Sequence, residues 1–120
     1  MAALFSVKDP RGDIIECSKK RWDEHICYRH PEVRGWRDLV VDAIREPHCI
    51  ARDEIEPGVE LYYVQGTLPN KYRYCWLRVV VRFVARGTER LGDVVTAFAL
   101  TEIPTTGEKV VWLSKKRVWN

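Results

Sequence analysis

The sequence predicts an α+β fold, with an N-terminal hairpin and two helices packed on an antiparallel sheet of about four to five strands. Three observations predict it. A turn composition near the N-terminus joins two short apolar runs. Helical periodicity is confined to the stretch between Ser18 and Pro47. Beyond Pro47 the chain is rich in β-branched and aromatic residues, and no helix alternates with the later strands, so a parallel βαβ architecture is not expected.

The hairpin is read from LFSVK and DIIEC, joined by Asp9-Pro10-Arg11-Gly12. Ser18 is placed as the N-cap of a first helix, KKRWDEHICYRH. Pro31 disfavours helical geometry at His30, so that helix is expected to end there. A second helix is expected from Arg34 to Glu46, because Trp36, Leu39, Val40, Ala43 and Ile44 form one stripe and Pro47 stops it. CIARDEI and VELYYVQ then read as strands separated by Glu56-Pro57-Gly58. The longest strand is expected over Tyr72 to Ala85, with DVVTAFALTEI as its hairpin partner and KVVWL as a final edge strand.

A chain of 120 residues fits one domain, 1–120, and is long enough to bury a core without disulfides or a structural metal. Apolar runs stop far short of the ~18 residues that a membrane helix needs, so no membrane association is expected. The first residues lack the basic start and apolar stretch of a signal peptide, which makes the cytoplasm the default compartment. Cys17, Cys27, Cys49 and Cys75 form no CxxC pair and no zinc-finger spacing with histidine. They are expected to be reduced, buried thiols, and no metal or cofactor is expected.

The net charge of +3 is modest, but its distribution is uneven. From Asp38 to Asn70 two arginines face seven acids; from Lys71 to Arg90 six basic residues face Glu89 alone; from Lys109 to Asn120 four basic residues face no acid. A fold that sets the last two segments side by side has a positive face suited to a polyanion. An ordinary solvated surface is the plain alternative.

On a helical wheel of about 100° per residue, Trp22 and Ile26 mark the stripe that faces the sheet. His25 and His30 flank it roughly 140° apart by the same geometry, with Arg29 between them. Two imidazoles and a guanidinium thus border the side that meets the sheet, unless His25 is a surface residue and His30 a helix-end residue favoured by the dipole. Along the long strand, Cys75, Leu77, Val79, Val81 and Phe83 form an apolar face. Tyr72, Tyr74, Trp76, Arg78, Val80 and Arg82 form an aromatic, cationic one, suited to stacking bases and pairing phosphates or else to packing under further chain. Thr96, in an apolar run, and Tyr62 and Tyr63 each need a hydrogen-bond partner if buried.

The stretch RWDEHICYRHPEV, followed by a helix and then by LYYV, LRVVVRF and DVVTAF, resembles small phage and mobile-element nucleases of the barnase–EndoU–colicin–RelE ribonuclease superfamily. The resemblance runs from about Lys19 to about Leu113 as motif shapes in order, with the HI-x-x-x-HPE segment and VVTAF its most specific parts. It implies a metal-free RNA endonuclease with helices on an antiparallel sheet of about four strands and the site between them. The helical histidine maps onto His25 or His30, the basic strand residue onto Arg82 and the last-strand hydroxyl onto Thr96. Family members often carry lysine where this chain has Arg82; arginine stabilises an anion but does not serve as a general acid.

The chemistry that the resemblance implies is attack of a 2′-OH on the neighbouring phosphate, leaving a 2′,3′-cyclic phosphate and a 5′-OH. Histidine, with a reference pKa of about 6.5, suits both proton transfers near neutral pH. One of His25 and His30 is then the base and the other the acid, with a tyrosine or Arg29 filling the second role if one histidine lies outside the pocket. Arg82, with Arg78, stabilises the phosphorane. Thr96 and Tyr63 orient the phosphate, and Tyr74 and Trp76 stack bases. The expected partners are RNA and an antitoxin or immunity-type protein that restrains the enzyme. A non-catalytic RNA-binding module, a toxin that cuts mRNA on the ribosome and a structural protein with packed histidines are the competing readings.

Overall fold

The computed structural model describes residues 3–117. Ser18 caps the first helix as its sequence position suggests, accepting from the Arg21 backbone N–H at 3.0 Å. That helix, α1, spans 19–29 and contains a π-helical turn over Trp22–Ile26, where the Cys27 N–H reaches back to the Trp22 carbonyl. His30 leaves helical geometry at φ −130°, ψ 77°, as a residue before proline does. Pro31–Gly35 form a 3-10 turn, which delays the second helix, α2, to Arg37–Arg45. The strands are β1 Ala3–Lys8, β2 Ile14–Ser18, β3 Cys49–Asp53, β4 Val59–Gln65, β5 Trp76–Arg86, β6 Glu89–Leu100 and β7 Glu108–Leu113.

The fold is α+β, but its sheet corrects the expected architecture. It has seven strands in the order β1-β2-β6-β5-β4-β3-β7, with two short helices, where an antiparallel sheet of four to five strands was expected. It is also mixed: β2 runs parallel to β6, pairing Ile14–Glu16 with Leu91–Asp93. The hairpin is therefore part of the main sheet. The physical reason this escapes the sequence is that a parallel pair requires a crossover, and here the crossover holds both helices and three strands. Gly92 marks the junction. A Cβ there would lie 2.6 Å from a Val81 methyl and 3.0 Å from Ile15, so β2, β5 and β6 meet only over a residue without a side chain.

The helices cover one sheet face. Leu77, Val79 and Val81 of β5 are fully buried in one cluster with Ile26 of α1 and Val40 and Ile44 of α2. Each such side chain contributes roughly 2 kcal/mol by leaving water. The opposite face of β4 and β5 is also packed. Leu61, Tyr63 and Trp76 form a second cluster with Cys49, Ala51 and Val59, and Ile103 from the β6–β7 connection lies against it. Glu108 on β7 reaches Tyr63 on β4 and Arg78 on β5, two and three strands away in the sheet order. The sheet therefore curls over this second face.

An ion network pins the β1–β2 turn to the sheet. The Arg11 guanidinium donates to Asp9 at 2.9 Å and to Glu60 at 2.6 Å. Arg90 bridges Asp13 at 2.9 Å and Glu60 at 3.1 Å. The Tyr62 hydroxyl donates to Asp9 at 2.6 Å and accepts from Arg11 at 3.2 Å. Arg90 also lies 4.1 Å above the Phe83 ring.

Candidate active site

Beyond Asp93, β6 has no further pairing with β2, and α1 packs beside it. Between the two lies a cleft of about 440 Å³. Its helical wall is Arg21, His25, Arg29 and His30, and its strand wall is Val95, Thr96 and Phe98. Four of the residues singled out in the sequence thus meet here: His25, Arg29, His30 and Thr96. The helix that supplies three of them contains the π turn over Trp22–Ile26.

The wall is basic and contains no carboxylate. Among the described residues, Arg21 and Arg29 form no ion pair. His25 and Arg29 are exposed, whereas His30 is half-buried. The His30 ring stacks on Phe98 with centroids 4.9 Å apart and planes 24° apart, and its Nδ1 lies 3.7 Å from a Glu32 carboxylate oxygen. On the strand side, the Thr96 Oγ1 is buried with no hydrogen-bond partner among the described residues. A buried hydroxyl without a partner costs roughly 1–3 kcal/mol. Thr96 is one of the residues that line the cleft, although its Oγ1 is itself closed to solvent.

The remaining sequence-derived candidates lie elsewhere. Arg82 is exposed and pairs with Glu56 at 3.4 Å. Arg78 is largely enclosed: its Nη2 donates to Glu108 at 3.1 Å, its guanidinium lies 5.7 Å from the Phe98 ring, and its Nε has no partner among the described residues. Tyr63 is fully buried and donates to Glu108 at 2.6 Å; burial, and then that hydrogen bond, push its phenol above the usual range. Trp76 is buried edge-on to His48 and Tyr63. Tyr74 falls in the turn before β5, exposed beneath the Arg73 guanidinium at 4.8 Å. The long strand begins at Trp76 and not at Tyr72, because residues 70–72 form a 3-10 turn with Asn70 at φ 58°.

Three lining residues, Arg21, Val95 and Phe98, carry no assignment from the sequence. Arg21 had a usable signal, since it precedes His25 by four positions on one helix. Phe98 had none, because an aromatic in a β-run reads as core. The four cysteines are free, and burial pushes the Cys17 thiol up to about 12 and the Cys49 thiol up to about 11. No three or more His, Cys, Asp or Glu side chains converge as metal ligands among the described residues. No helix among the described residues is long and apolar enough to cross a membrane.

The chain matches no protein-family model, no curated protein and no solved structure.

Proposed function

We propose that this protein is a metal-independent RNA endonuclease of the cytoplasm that cleaves by 2′-OH attack at the cleft between α1 and β6. The observation that carries the reading is the convergence of two imidazoles, two guanidinium groups without an ion pair among the described residues, and Thr96 in one cleft whose lining residues include no carboxylate, with Glu32 beside His30 at 3.7 Å. An anionic phosphodiester complements that set in charge and in hydrogen bonding. His25 and His30 supply the two proton transfers. Arg21 and Arg29 take over the anion-stabilising role for which Arg82 and Arg78 were candidates. The Thr96 hydroxyl donates to a phosphate oxygen. Phe98 holds the His30 ring in plane, which leaves the more exposed His25 as the mobile partner. The resemblance to the ribonuclease superfamily supports the chemistry through the His25–Pro31 segment and the Thr96 strand; the seven-strand mixed sheet departs from the fold it implies.

The test incubates purified protein with a mixed RNA pool in EDTA, with and without ribosomes. The expected result is cleavage with 2′,3′-cyclic phosphate ends, reduced about a hundredfold or more by His25→Ala or His30→Ala, in line with the contribution of general acid–base groups. Cleavage confined to the ribosome-containing arm identifies the ribosome-dependent toxin. Salt-sensitive binding with no cleavage in either arm identifies a binding module. Normal cleavage by both histidine variants removes the cleft as the site.

A further inference from the structure

The helix that supplies the cationic wall also carries an exposed aromatic ring. Tyr28 is 79% exposed, while its neighbour Cys27 is buried and its neighbour Arg29 lines the cleft. Among the described residues it meets no ring and no cation. Tyr28 follows His25 by three positions, so the two side chains are neighbours on the helix surface. Tyr28 is outside the cleft lining, one residue from Arg29, which is part of it. Glu24, also exposed, precedes Tyr28 by four positions. A large flat ring left in water beside an anion site has little to gain from the fold. It has much to gain from a planar ligand attached to the anion.

We propose that Tyr28 is a stacking platform for one base of a single-stranded RNA whose phosphate occupies the cleft. The inference rests on the cleft being a phosphodiester site, but not on cleavage. It names the substrate class: an unpaired base has a free face to offer the ring, whereas bases in an A-form duplex are already stacked. The phenol hydroxyl has no part in the contact, so phenylalanine serves equally well.

The experiment measures binding of a fluorescently labelled 2′-O-methyl RNA, which has no 2′-OH to attack, as a single strand and as a hairpin duplex. Wild type, Tyr28→Ala and Tyr28→Phe are compared. Because the side chain is exposed, neither substitution disturbs the core. The expected result is that wild type prefers the single strand, that Tyr28→Ala weakens single-strand binding about tenfold without affecting the duplex, and that Tyr28→Phe binds like wild type; one base–aromatic stack contributes an effect of this order. Unchanged single-strand binding by Tyr28→Ala overturns the proposal. So does an equal loss for duplex and single strand, or no binding by wild type. Cleavage of unmodified RNA is scored separately. A selective Tyr28→Ala loss in a protein that cuts nothing keeps the stacking site and removes the nuclease reading.

Discussion

Two basic regions of this molecule use arginine in opposite ways. At the β1–β2 turn, Arg11 and Arg90 are met by Asp9, Asp13, Glu60 and the Tyr62 hydroxyl. In the α1–β6 cleft, Arg21 and Arg29 face two histidines and a threonine, with no carboxylate in the wall. The first region satisfies its own charges and ties a turn to the sheet. The second leaves its arginines without an ion pair among the described residues. Counting arginines does not separate the two; counting their partners does. Stability should therefore reside in the network and ligand chemistry in the cleft, and substitutions should divide along that line.

The largest effect on stability is expected at Glu60. Glu60→Ala leaves Arg11 and Arg90 short of their shared carboxylate, and because both guanidinium groups are part-exposed and keep Asp9 and Asp13, the cost is about 2 kcal/mol, that of lost charge-assisted hydrogen bonds. Denaturant unfolding measures it, and cleavage per folded molecule should not change. A stability loss below about 1 kcal/mol would mean that the network is dispensable, because that is what a surface pair contributes.

Thr96→Val should do the reverse. It removes a hydroxyl that has no partner in the folded chain, so stability is expected to hold or to rise by up to about 1 kcal/mol. Cleavage is expected to fall about tenfold, the loss of one hydrogen bond to an anion. Loss of stability with cleavage unchanged would show the hydroxyl to be structural.

A smaller effect is expected from pH. Burial, followed by the hydrogen bond to Asp9, holds the Tyr62 phenol far above its ordinary range. The unfolded phenol loses its proton near pH 10, so above that pH the folded state binds more protons and stability declines as pH rises. Below pH 10 the contribution is fully present. At pH 11 Tyr62 is expected to cost about 1 kcal/mol relative to pH 9, and Tyr62→Phe should flatten that part of the curve. An unchanged slope in Tyr62→Phe would place the alkaline transition elsewhere.

Local features of this fold were legible because their causes are local. Ser18 as a cap, Pro31 as the end of α1 and the turn at Glu56-Pro57-Gly58 each follow from neighbouring residues. The parallel β2–β6 pair was not, since Ile15 and Gly92 come together through the whole intervening chain. The same limit applies to the site. Helical spacing placed His25, Arg29 and His30 on one helix and strand reading singled out Thr96, but no spacing rule shows that Thr96 faces them. Alternation correctly separated Trp76 and Arg78 from Leu77 and Val79, yet it carried no signal that Ile103 and Glu108 fold back over the aromatic face. Trp76 and Tyr63 are buried there for that reason, and the stacking role that the sequence suggested for Trp76 lacks an exposed ring.

The claim that the cleft drives 2′-OH attack is tested most directly with an oligodeoxynucleotide that contains a single ribonucleotide. Incubated with the protein in EDTA, it should be cut once, immediately 3′ of the ribonucleotide, leaving a 2′,3′-cyclic phosphate on one product and a 5′-OH on the other. The all-deoxy strand should remain intact. Cutting of the all-deoxy strand, or cutting of the chimera away from its one 2′-OH, would contradict the account.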